Sequence, residues 1–432
     1  MREPVQCPMS NDQRDIKAGY STWRLLRWTL VVGLPLCPGL IRFEMKRSFT
    51  YLIAICLSIL ISVSSPDQTW AWVGLELDGK FTGIADPYGA TGSEGNGSLW
   101  EFSARIMYQE SFNSIDTEIH WLGQTVHSTD DITLLPRSTS PFRSLDLETV
   151  HRQNDETIIF SEMDRLSLAW SSPKLGLTVG RQAVSWGEAF YFNIGDVFGA
   201  FPVTETNRRY KPGIDAVTAT VNLGPFSDLS LVSVPVEDKS DNVAAHLLFP
   251  FGPGTFSLTG GRILEDDKAG AGYTVDIAGT QVYGTLLLTG TSDGEEYSQT
   301  VVGAERQVGP NTFLIGELYR NGWSTGDPSD YPSMILTDEF TSGSVLTLGR
   351  HNLAFQVSQQ VSPLVSLTPA IFANLSDSSV LLRMDGALSL SDFTDMTGGL
   401  FIGLGERPDT GIPQSEYGGI PISLYVEIVH NI

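Results

Sequence analysis

Trp100-Glu-Phe-Ser-Ala-Arg-Ile-Met-Tyr-Gln109 alternates without a break. Trp100, Phe102, Ala104, Ile106 and Tyr108 share one face of an extended chain, and Glu101, Ser103, Arg105, Met107 and Gln109 share the other. Ten residues of period two, with aromatics near both ends, fit a strand that crosses a bilayer in a barrel wall, where lipid-facing and lumen-facing residues alternate. The same rhythm recurs on both sides. Leu75, Leu77, Gly79 and Phe81 oppose Glu76, Asp78, Lys80 and Thr82, and Ile115, Thr117, Ile119 and Trp121 oppose Asp116, Glu118 and His120. Near the end, Val380, Leu382, Met384, Gly386 and Leu388 oppose Arg383 and Asp385, and Ile422, Leu424, Val426 and Ile428 oppose Ser423, Tyr425 and Glu427. The chain closes on Ile432, where the last strand of an exported barrel more often carries Phe or Trp.

The connections alternate as well. Short turns are predicted at 110–113, 171–174, 224–227, 250–254, 278–280, 308–310, 361–364 and 391–396, most holding the Gly, Pro or Asn that tight reversals need. Between them fall longer polar loops at 84–98, 124–161, 187–212, 237–241, 263–271, 289–296, 320–343, 375–378 and 405–421. If 344–360 is one long strand, short and long connections alternate throughout and join 18 strands, an even number with both ends on the short-turn side. A turn at Gly349–Asn352 would disturb that series, and 16 strands is the alternative count. The expected fold is all-β: a transmembrane antiparallel up-and-down β-barrel over residues 72–432. A soluble β-helix or propeller would show a fixed repeat, and none is present.

Upstream, Met45-Lys-Arg47 precedes a 13-residue apolar run, Tyr51–Val63, and Thr69-Trp-Ala71 ends in a small residue suited to cleavage. Thirteen residues are too few for a spanning helix, which needs about 20. Residues 45–71 therefore read as a signal peptide and 1–44 as a mis-assigned upstream extension. Cys7, Cys37 and Cys56 all precede Ala71, so the predicted mature chain lacks thiols and with them disulfide frameworks and thiol chemistry. Residues 1–71 hold 8 Lys and Arg and 5 Asp and Glu of the chain's 27 and 50, which leaves the remainder at 19 against 45, a net charge of −26. Such a surface repels phosphate backbones and excludes nucleic acid as a partner. It favours cations in a pore if the carboxylates face the lumen.

The stretch Gly180-Arg181-Gln182, Trp186-Gly187-Glu188, Asn193, Asp196, Pro202 and Lys211-Pro-Gly-Ile-Asp215 resembles porin-like barrels of Gram-negative outer membranes. The resemblance covers about 35 residues specifically. It implies a passive channel for small polar solutes, set in outer-membrane lipid and lipopolysaccharide, and leaves a homotrimer open. Read from the residues alone, Leu175, Leu177 and Val179 give Arg181 a lipid-facing parity, which is costly unless a bulge at Gly180 turns it inward to pair with Glu188 or Asp196. Arg181, Gln182, Trp186, Glu188 and Asp196 are the candidate lining; the equal alternative is that Trp186 belongs to an aromatic girdle and the polar residues brace the base of the loop.

Loop 187–212 carries Phe190, Tyr191, Phe192, Phe198 and Phe201, then Arg208, Arg209 and Lys211. So apolar a loop is poorly solvated outside, so it is expected to fold into the barrel and narrow it, with the basic residues at the mouth. The alternative is an external aromatic patch. Gly290-Thr-Ser-Asp-Gly294 matches a nucleophile elbow but lies in a polar hairpin rather than between strand and helix. The six histidines have no metal-ligand spacing, His120 is expected in the lumen, and no cofactor is implied. A channel is the leading expectation, and a barrel serving as enzyme or adhesin scaffold is the alternative.

Overall fold

Strand alternation becomes wall geometry in the computed structural model, which describes residues 69–86, 95–129, 140–235, 242–409 and 412–432. Those residues belong to the unit Ser65–Ile432. The predicted extension and most of the predicted signal lie outside the described residues.

The strands are β1 Thr69–Asp86, β2 Gly95–Phe112, β3 Ile115–Thr129, β4 Glu148–Gln153, β5 Thr157–Ser171, β6 Leu175–Gln182, β7 Ile214–Gly224, β8 Ser227–Val234, β9 Asn242–Phe251 and β10 Gly254–Ile263. They continue as β11 Asp266–Ile277, β12 Thr280–Gly290, β13 Glu296–Val308, β14 Thr312–Asn321, β15 His351–Ser362, β16 Val365–Asn374, β17 Ser379–Ser391, β18 Thr394–Leu404 and β19 Ile422–Asn431. All but the short β4 run as staves of a closed antiparallel barrel of 18 strands. Closure comes from β1 against β19, paired from Glu76↔Asn431 to Ala85↔Ile422. The predicted cleavage position, Ala71, lies within β1.

Burial follows the predicted parity. Trp100 and Phe102 are each 54% exposed on the outer face, whereas Arg105 and Met107 of the same strand are buried toward the lumen. Leu286, Leu288, Val302, Leu318, Met384, Leu424 and Ile428 extend the outer apolar band, the kind of surface that a membrane barrel turns toward lipid.

All eight predicted short turns join the strands expected. Three loops differ. Loop 263–271 shrinks to Leu264-Glu265, both at positive φ (55° and 72°), as a two-residue hairpin requires. The strand expected over 344–360 begins only at His351, because Leu348 packs with Tyr331 and Met334 of the preceding loop rather than in the wall. That loop therefore runs from 322 to 350. The inward loop is longer than expected, spanning 183–213.

At the outer rim, loops 322–350 and 405–421 meet through Glu416, which accepts hydrogen bonds from Leu348 N (3.1 Å), Gly349 N (3.2 Å) and Asn374 Nδ2 (2.9 Å). Burial, reinforced by Asp377, pushes its carboxyl up to about 7. A raised folded-state value means the folded joint holds the proton more tightly. Its contribution is thus complete below about 4.5 and is lost as pH rises through about 7. Amide exchange at 346–350, corrected for intrinsic rate, should be faster at pH 8.5 than at pH 5.5, and Glu416→Gln should remove that difference.

Candidate functional site

β6 ends at Gln182 and β7 starts at Ile214, and the 31 residues between them enter the lumen. Tyr191, Phe192, Ile194, Val197 and Phe198 pack against lumen-facing Val232, Ala244, Leu287, Val301, Ala354, Phe372 and Leu381. Phe192 stacks on Tyr319 (5.0 Å between ring centroids), and Tyr191 meets Phe372 edge-on at 4.8 Å. Each such side chain taken from water contributes roughly 1.5–3 kcal/mol, and that burial is the force that draws the loop inward.

One carboxylate fixes the loop to the far wall. Glu317 of β14, 2% exposed, accepts hydrogen bonds from the backbone N–H of Phe190 (2.6 Å), Tyr191 (3.1 Å) and Phe192 (2.8 Å), and from Tyr283 Oη (2.6 Å). Tyr191 Oη also meets Gln356 and Arg383. The other edge of the loop reaches β19 and β1. Asn207 donates to Glu427 (2.9 Å), and Arg209 and Tyr210 approach Glu76 at 3.3 and 3.4 Å. Around that edge lie the partly exposed lumen residues Asp78, Lys80, Glu101 and Asp385, with Glu205 from the loop. Lys80 and Glu101 are 4.0 Å apart, and Arg383 bonds Asp385 at 2.8 Å.

The structure divides the residues predicted for this site. Arg181 is 1% exposed and pairs with Asp215 (2.7 and 2.9 Å), not with Glu188 or Asp196. The register passes Gly180 with no shift, in correction of the predicted bulge. The bulge lies instead in β5, where Asp164 is the extra residue between the pairs His120↔Arg165 and Trp121↔Met163. Gln182 donates to Ala216 O at 2.9 Å. Trp186 stacks on His246 at 5.1 Å and abuts Phe198, inside the barrel and away from the girdle.

Asp196 and Lys211 bond each other at 2.5 Å, and Ser185 donates to Asp196. Burial pushes the Asp196 carboxyl up and the Lys211 ammonium down, and the charge of each opposes the shift of the other. Arg208 lies over the Phe190, Tyr191 and Phe201 rings and bonds carbonyls of its own loop, so it braces the loop. Glu188 meets Thr285 at 3.3 Å, and Arg209 remains partly exposed. His120 is buried at lumen parity, 6.1 Å from the Tyr210 ring. The elbow-like Gly290–Gly294 is part of a turn between β12 and β13.

Sequence reasoning missed Glu317, Glu76, Glu427 and the Asp164 cluster. Lumen parity was legible for Glu76 and Glu427, but nothing local marks which lumen acid meets the loop, and Glu317 shares its parity with Phe313, Ile315 and Tyr319. A second signal was available: Leu287 and Val301 place apolar side chains at lumen parity, where a water-filled barrel would carry polar ones.

The closed antiparallel barrel of 18 strands matches solved structures of outer-membrane porins. Among solved structures, OccAB4 of Acinetobacter baumannii is similar at a TM-score of 0.54 and 8% identity, over 85% of this chain and 100% of that one. OccAB2 of the same organism gives 0.51 and 10% over 84% and 98%, and OccK9 (OpdG) of Pseudomonas aeruginosa gives 0.50 and 11% over 84% and 98%. Identities this low establish the fold alone. No protein-family description and no curated sequence matches the chain.

Proposed function

We propose that this chain is a passive channel of a bacterial outer membrane for small hydrophilic solutes, delivered there by the export segment at 45–71. The observation that carries the reading is the loop 183–213, drawn across the lumen and fixed at both edges, beside a row of charged side chains left without apolar cover. Among the solute-facing groups we place Asp78, Lys80, Glu101, Glu188, Glu205, Arg209 and Asp385. Arg181, Gln182, Trp186, Asp196, Arg208 and Lys211 serve the pore by holding the loop. Carboxylates outnumber cations in that row, which favours cationic over anionic solutes. Lipopolysaccharide contact and a homotrimer belong to the same reading.

Liposome swelling with graded sugars and amino acids tests the channel; a folded barrel that admits none of them ends the proposal. In planar bilayers under a KCl gradient, the reversal potential should take the sign of cation preference. Glu101→Gln with Asp78→Asn should move it toward zero. A parent channel that prefers chloride would contradict the charge assignment.

A further inference from the structure

β3 occupies one edge of β5 along nearly its whole length, from His127↔Thr157 to Ile115↔Trp170. The other edge is shared. β6 takes the half from Leu166 to Ser171, and β4 takes the half from Ile158 to Glu162. β4 therefore fills the part of the wall that β6 vacates when its chain turns into the lumen. It arrives there as the end of a strap, 140–153, that returns from the long loop after β3.

The strap grips both roots of the inward loop. Asp215 N donates to Phe142 O (3.0 Å), Leu145 N donates to Asp215 Oδ2 (2.8 Å), and Arg181 Nη2 donates to Leu145 O (2.7 Å). Arg143 donates to Gly213 O (2.9 Å), Glu162 (2.7 Å) and Asp164 (3.1 Å). Phe142 inserts its ring edge-on against Phe198 of the loop, 5.5 Å between centroids. Met163 N donates to Leu147 O (3.0 Å), which ties the strap to β5.

We infer that the strap 140–153 sets the position of the inward loop, with Arg143 and Phe142 as positioning residues that fix the pore aperture. The loop roots are the only places where loop 183–213 joins the wall covalently. A strap bonded to both of them, with one ring wedged into the loop's aromatic core, controls the loop's angle of entry. This rests on the channel reading for its consequence, but the mechanical claim stands on contacts alone. Glu317 holds the loop's far side, and the strap holds its origin.

The test uses the full chain, folded in detergent and reconstituted in planar bilayers. Arg143→Met should speed amide exchange across 190–207 at least tenfold, raise mean conductance and increase current fluctuation. Phe142→Ala, which keeps every bond of Arg143, should give the same changes in smaller measure and serves if Arg143→Met does not fold. With Cys7, Cys37 and Cys56, the three cysteines of the sequence, replaced by Ser, Phe142→Cys and Phe198→Cys can be joined by a short bismaleimide. Adding that cross-link to Arg143→Met should restore slow exchange and the parental conductance. Folded variants that exchange at 190–207 as the parent does would overturn the inference. A parent that conducts nothing would remove the channel reading, and the exchange rates would still decide the strap.

Discussion

Replacing Glu317 with alanine is expected to raise single-channel conductance toward that of a chain lacking residues 190–207, with the barrel intact. Three backbone N–H groups and one tyrosine hydroxyl converge on this carboxylate. They come from positions 34 to 127 residues away, and the side chain is sealed from water. Each buried donor left without a partner costs about 1–3 kcal/mol, and more when the lost partner was charged. Not all four losses add, because the loop has a cheaper response, which is to leave the wall and let water reach them. A net cost of about 3–5 kcal/mol on the docked state shifts its equilibrium by roughly two to four orders of magnitude, at 1.4 kcal/mol per tenfold. Burial of Tyr191, Phe192 and Phe198 opposes that release. The expected record is therefore one of larger and noisier currents, not a permanently open pore. Glu317→Gln keeps one acceptor oxygen and the shape of the site, so it should fall between parent and alanine. Heat-modifiable mobility on a gel should be unchanged in both, since no ladder bond of the wall involves the side chain. Parental conductance in a folded Glu317→Ala channel would show that the aromatic core alone holds the loop.

The division between what was legible in the residues and what was not follows the range of the forces involved. Period-two alternation is local, so Trp100–Gln109 announces both of its faces without help from the rest of the chain. Turns at Asn113, Gly224, Gly252 and Gly309 were equally plain, because positive φ there suits glycine or asparagine. Leu264-Glu265 was not, because neither residue advertises a left-handed turn, and the strands on either side impose it. β4 was hidden for another reason. Six residues of Glu148–Gln153 with one exposed valine have no strand signature of their own, and they pair because β6 leaves an edge of β5 open. At the site, the inward fold of the loop was readable from its aromatics, which need an apolar partner. The identity of its anchors was not, because Glu317 and Asp215 acquire their roles only through contacts made across the barrel. Arg181 shows the limit most clearly: its awkward parity was visible, but the relief comes from Asp215 and the strap and not from a bulge at Gly180.

Asp164→Ala is expected to cost the barrel about 3–5 kcal/mol, the range found when one member of a buried ion pair is removed. The bulge in β5 turns this carboxylate into a site where Arg105 (2.6 Å), Arg143 (3.1 Å) and Arg165 (3.1 Å) converge, and where Gly213 N also donates to it. All four charged side chains are nearly sealed from water. Without Asp164, Arg143 keeps Glu162, but Arg105 and Arg165 lose the one carboxylate that lies within ion-pair distance of either among the described residues. Three guanidiniums then share a poorly screened volume, and their repulsion adds to the desolvation that nothing now offsets. The effect should appear as a lower urea midpoint for unfolding from detergent, with a parallel fall in folded yield on a gel. Asp164→Asn tests the electrostatic part, since it keeps the shape and two hydrogen-bonding positions while losing the charge. Combining Asp164→Asn with Arg143→Met removes one of the three crowded cations, so the double variant should lose less than the sum of the two singles. Glu101→Gln provides the contrast. Its 4.0 Å contact with Lys80 is partly solvated, and such pairs contribute about 0–1 kcal/mol, so its midpoint should barely move even where its reversal potential does. An Asp164→Ala barrel with the parent's urea midpoint would mean that water enters the cluster freely, and the charges of the strap and β5 would then be a solvated surface instead of the joint that seats the loop.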